Sequence, residues 1–111
     1  MLVNLNPSNA AINVAEDIRG AKLPATVSVT NAVAVALAAN ANRGCYSIYN
    51  AGPATVYLRE GATVSATLYE VLIPAGFYYK EEFASARYTG QVSVITASGT
   101  ASLQVSEGLL T

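Results

Sequence analysis

Apolar residues recur along much of this chain at every second position. Residues 26–30 (TVSVT) place Val27 and Val29 on one face. After Asn31 the alternation resumes, with Val33, Val35 and Leu37 on one face and small alanines on the other. Alanine favours helix, but valine at alternate positions sets a period of two, and the period decides over propensity. Residues 44–49 (GCYSIY) and 55–58 (TVYL) follow as two more strands. Between them Asn50, Ala51, Gly52, Pro53 and Ala54 can reverse the chain, because Gly permits positive φ and Pro presets its own. Residues 68–73 (LYEVLI), 77–80 (FYYK), 91–96 (QVSVIT) and 101–106 (ASLQVS) continue the series, the last with Leu103 and Val105 inward. Turn formers at 74–76 (PAG), 88–90 (YTG) and 98–100 (SGT) separate them, and the 98–100 turn reads as a hairpin that pairs 101–106 back on the strand before it. About seven or eight short strands at roughly ten-residue spacing predict an all-β fold: an antiparallel β-sandwich, or a small jelly-roll or Greek-key barrel.

The first 24 residues break this rhythm. Leu2, Val3 and Leu5 precede a turn cluster at residues 6–9 (NPSN). The stretch 10–21 (AAINVAEDIRGA) reads either as a short helix capped by Ser8 or Asn9, or as an extended arm in which Ile12 and Val14 alternate. The spacing of Ile12, Val14 and Ile18 matches neither period cleanly. Anchors without a clear element fit an arm that docks on a neighbour as well as they fit a segment packed on its own domain. The expected organisation is an N-terminal arm or extension over residues 1–24 and one β domain over 25–111.

Charge sharpens the picture. Charged residues make up 12% of the 111 residues, and the net charge is −1. Soluble domains usually carry about 25%, so this chain has unusually little to keep its surface wet. A soluble monomer with a surface of Ser, Thr, Asn and Ala would fit, but interface cores are depleted in charge and a near-neutral chain repels its copies weakly, so assembly is the expectation. Arg19, Lys22, Arg43, Arg59, Lys80 and Arg87 are scattered, which argues against nucleic acid as a partner. The longest apolar run, residues 32–39, is too short and alanine-rich to span a membrane. The opening MLVNLNPSN places no positive charge before an apolar core, so no signal peptide is expected.

The chain offers little to catalysis. It has no histidine, which removes Ser-His-Asp and Cys-His constellations and most zinc sites. Cys45, the single cysteine, sits at strand spacing and reads as a small buried hydrophobe; synthesis in a reducing cytosol is expected. Glu81 and Glu82 are adjacent in an extended stretch and point to opposite faces. No enzyme activity, no metal and no cofactor are expected. The aromatic residues say more. Phe77, Tyr78 and Tyr79 are consecutive and cannot all face one core, so at least one points outward as an interface or stacking surface. Together with Ile12, Val14 and Ile18 they are the candidate interaction residues.

The order of features over residues 43–107 resembles that of small virion proteins of tailed phages. The shared elements are IYNAG at 48–52, TVYL at 55–58, IPAG at 73–76, YTG at 88–90 and ASGTASLQVSE at 97–107. The resemblance implies a β-sandwich and a structural role. The expected function is capsid decoration (a cement protein): binding the outside of the major capsid protein shell, as a homo-oligomer and specifically a trimer, after synthesis in the host cytoplasm. The alternative it leaves open is a tail or fibre module that binds a host surface glycan, with Tyr78 and Tyr79 as the stacking residues.

Overall fold

The computed structural model describes residues 23–82 and 86–110. Ile12, Val14 and Ile18, and with them the question of arm or helix, lie outside the described residues. The described residues form eight strands: β1 (Leu23–Val29), β2 (Ala34–Leu37), β3 (Arg43–Pro53), β4 (Val56–Glu60), β5 (Val71–Ile73), β6 (Tyr78–Glu82), β7 (Val92–Thr96) and β8 (Ala101–Leu109). They form two four-stranded sheets, in the orders β1-β8-β3-β6 and β2-β7-β4-β5. All pairs are antiparallel. The pairs β1·β8, β2·β7, β3·β6 and β4·β5 are those of one long hairpin folded back on itself. The pairs β3·β8 and β4·β7 then close each sheet. This is a β-sandwich, as the strand spacing led us to expect, with jelly-roll topology, one of the arrangements that spacing left open.

The sandwich buries one face of each sheet. Val29, Tyr46, Ile48, Leu103 and Val105 come from the first sheet, and Leu37, Val56, Leu58, Ile73, Val92 and Val94 from the second. Alternation delivers these residues inward from most strands. β2 is the exception: its pairing with β7 shifts register between Val35 and Leu37. That bulge buries both Ala36 and Leu37 and leaves Val33 and Val35 about half exposed. The three residues that alternation places on one face are therefore split between two faces.

Two turns do not do what their composition implies locally. The 50–54 turn does not close a hairpin, because β3 pairs with β6 and β8 and not with β4. The 98–100 turn likewise carries the chain from the second sheet to the first, and β8 pairs with β1 and β3 rather than β7. Only the β4–β5 connection stays within one sheet. The strand predicted over 68–73 is shorter than expected. Leu68 is held in a turn by a two-way backbone bridge to Ser65, so pairing begins at Val71.

Central strand β3 carries a buried polar group near each end. At its start the Arg43 side chain is fully buried. Its Nε donates to Glu107 Oε2 at 2.9 Å, Nη1 donates to the Tyr88 and Gly90 carbonyls at 3.1 and 2.8 Å, and Nη2 donates to the Ala38 carbonyl at 2.7 Å. One guanidinium thus ties β8 to the β2–β3 and β6–β7 connections, and it lies 5.7 Å from the Tyr46 ring centroid. Toward the other end the Asn50 side chain, also fully buried, donates to the Ala54 and Ile73 carbonyls and accepts from the Gly52 N–H. Its backbone carbonyl accepts from Gly76, and its N–H donates to the Phe77 carbonyl. The IYNAG and IPAG segments are therefore parts of one junction. Gly52 is required there: its φ is +87°, and an added Cβ would lie 3.0 Å from that of Ala75.

A lysine cannot reproduce the fork of donors at position 43, and the carbonyls it leaves would stay buried. Breaking such a group costs about 3 kcal/mol or more. Arg43→Lys is expected to lower Tm by at least about 10 °C in a calorimetric scan; a Tm within about 2 °C of wild type would contradict this role for the guanidinium.

Candidate functional site

Pleating sends alternate residues of each strand away from the core, so the outward faces of the two sheets are the surfaces available for recognition. Their chemistry differs.

On the second sheet, Tyr57 lies opposite Leu72 on one side and Ile95 on the other, giving an apolar row across β5, β4 and β7. Leu72 is 47% exposed, and Val35, on the adjoining row opposite Ser93, is exposed to the same extent. Tyr69 stands edge-on to Tyr57, with ring centroids 4.9 Å apart. Arg59, on the same row as Ser93, turns its Nη1 back to the Thr63 carbonyl and hydroxyl. The guanidinium is thereby held to its own loop. This face was missed from the sequence, although a signal existed: TVYL and VSVIT place apolar residues at both parities, more than a one-sided strand requires.

On the first sheet, the outward face is polar, nearly neutral and aromatic. Cross-strand register puts Tyr78, Tyr49, Gln104 and Thr26 in one row, and Lys80, Ser47, Ser106 and Pro24 in the next. Tyr78 is 70% exposed and Tyr49 is 43% exposed. Between the rows lies a shallow groove of about 280 Å³.

The structure separates the three consecutive aromatics. Tyr78 points outward from β6. Phe77, just before the strand, is also largely exposed. Tyr79 points into the sandwich, its ring 6.1 Å from that of Tyr46. There the Tyr79 hydroxyl bonds Glu81, and the Tyr46 hydroxyl donates to Glu60 Oε2 at 2.8 Å. Burial pushes both phenols well above their ordinary range, and the carboxylates beside them add to the shift. Both therefore stay protonated and act as donors. The Glu60 carboxyl is also raised, first by burial and then by the Glu70 and Glu81 carboxylates, against the lowering effect of the Tyr46 hydroxyl and Arg43. These groups lock the sandwich interior through bonds to one another. Cys45 is buried, as its spacing implied. Among the described residues, no group of three or more Cys, Asp or Glu side chains could hold a metal ion, and no helix is long and apolar enough to cross a membrane.

No protein-family model matches the chain. No curated protein matches it. Among solved structures, a chain from Bacillus endospore appendages, described as a novel family of disulfide-linked pili, is similar at 14% identity and a TM-score of 0.46, with 97% of this chain and 98% of that chain covered.

The raised Glu60 carboxyl has a consequence for stability. Folded protein holds this proton more tightly than unfolded protein, so the group's contribution is complete below its ordinary value of 4.5 and is lost as pH rises through the higher folded value. Glu60→Gln keeps an acceptor for Tyr46 and removes the titration. Denaturant melts between about pH 4 and 7 are expected to show wild type losing stability relative to Glu60→Gln as pH rises; parallel curves would contradict the assignment.

Proposed function

We propose that this chain is a non-enzymatic structural protein of a phage particle, a capsid decoration protein that seats the outward face of its second sheet on the major capsid protein shell. The observation that carries this reading is the Leu72–Tyr57–Ile95 row, an apolar strip across three strands with its nearby arginine held to its own loop. Leu72 and Val35 are about half exposed and Tyr57 and Ile95 partly so, which fits a contact surface. Burying what remains exposed of Leu72 alone would contribute about 1 kcal/mol, and repetition over many copies would stabilise a shell without any single strong contact. The chain's low charge, 12% of residues, fits a subunit with much of its surface covered in an assembly. The phage context is what the resemblance of residues 43–107 to tailed-phage virion proteins implies, and a trimer at local three-fold positions is the assembly proposed with it.

The test is co-sedimentation of the purified chain with expanded phage shells. Wild type is expected to bind, and Leu72→Asp to bind at least about tenfold more weakly, because a carboxylate would have to be buried on that face. Leu72 lies on an exposed strand, so the variant's circular dichroism is expected to be unchanged. Failure of wild type to bind any shell, or equal binding by Leu72→Asp, would overturn the reading.

A further inference from the structure

We propose that the groove on the outward face of the first sheet, between Tyr49 and Tyr78 on one side and Pro24 on the other, is a binding site for a neutral glycan. It lies on the opposite side of the sandwich from the apolar strip and goes beyond the decoration reading.

The argument rests on what the face offers and what it lacks. Two tyrosines stand directly opposite each other on neighbouring strands, Tyr49 on β3 and Tyr78 on β6. Their rings are large, rigid and exposed, Tyr78 more than Tyr49, so a ligand that stacks on them loses little side-chain entropy. No hydrogen bond from either hydroxyl to another described residue accompanies this exposure. Beside the rings, Gln104, Ser47 and Ser106 supply amide and hydroxyl groups. These are already set in place: Ser47 Oγ and Ser106 Oγ share a hydrogen bond at 2.9 Å, and Gln104 Nε2 donates to Thr26 Oγ1 at 2.9 Å. A polar array fixed before binding costs less to order when a ligand arrives.

Charge decides between ligand classes. Among the described residues, the charged side chains on this face are Lys80 and Glu82, which bridge each other at 3.0 Å and so present an opposed pair. Phosphate, nucleic acid or an acidic peptide would find no unopposed positive group among the described residues of this face. A wholly apolar ligand would leave unmet the hydrogen-bonding capacity that Ser47, Ser106 and Gln104 keep beyond the bonds they already make. A sugar ring matches both halves: its C–H faces pack on tyrosine, and its hydroxyls meet amide and hydroxyl groups. The volume, about 280 Å³, is at the small end for ligand pockets and open to the side, as suits a short stretch of a longer chain. Tyr79, adjacent in sequence, takes no part because it faces inward.

The test uses the full chain on a glycan array carrying neutral, sialylated and sulfated oligosaccharides, followed by amide NMR titration with the neutral glycan that binds best. The expected result is weak binding to neutral glycans, with shifts concentrated at Tyr49, Tyr78, Gln104 and Ser106. Tyr78→Ala is expected to weaken it about tenfold or more, and Tyr78→Phe to retain most of it, since stacking carries the affinity. Both substitutions are on an exposed ring, and a spectrum with unchanged dispersion certifies the fold. Binding to anionic glycans alone, binding unaffected by Tyr78→Ala, no binding to the neutral set, or the same shifts produced by a proline-rich peptide in place of sugar would each overturn the assignment. Shell co-sedimentation reads the other face, so the two readings fail separately.

Discussion

The Arg43 guanidinium is the interaction on which the rest of the sandwich depends. A jelly roll sends most of its connections from one sheet to the other, so its ends are made of loops with backbone groups to satisfy. Here a single side chain answers three loop carbonyls and one carboxylate, all around one end of β3. Glu107 in turn accepts from Asn40, and Arg87 donates to the Arg43 carbonyl, so the network reaches both loops it holds. A charge in that position is costly alone and tolerable only when fully bonded. Near the other end Asn50 works on the same principle without charge, binding its own turn and the strand β5 beside it. β3, clamped near both ends and central in its sheet, fixes where the outward residues of that sheet stand.

The strands and turns were legible in the sequence because both are local. A period of two locates a strand, and Gly, Pro and Asn locate its ends. Partners were not legible. Asn50–Ala54 and Ser98–Thr100 have the composition of hairpin turns, yet both cross between sheets, because pairing is decided by how the whole chain buries its two inward faces. The outward turn of Val33 and Val35 was hidden by a one-residue register shift that no alternation pattern reveals. Arg43 was hidden for a different reason. In a polar turn an arginine looks solvated, and only the convergence of two distant loops makes it buried.

Of the aromatic run singled out from sequence, alternation alone implied that neighbours part company, and Tyr78 and Tyr79 do so. What could not be read was Tyr49 as the partner of Tyr78, which requires the β3·β6 register. The same holds for the second sheet, where Tyr57, Leu72 and Ile95 are far apart in sequence and adjacent in space. The sandwich therefore presents one apolar outward face and one neutral, tyrosine-bearing face, back to back across a shared core. The proposed decoration role would lay the first of these faces on the shell and leave the second to solvent or, as proposed, a sugar.

The most direct test of that orientation is a cryo-EM map of expanded phage shells incubated with the chain. The account predicts density in which the β2-β7-β4-β5 sheet lies against the shell, with Leu72 covered and Tyr78 facing outward. Bare shells, or a map in which the Tyr49–Tyr78 face is the one buried against the capsid, would contradict it.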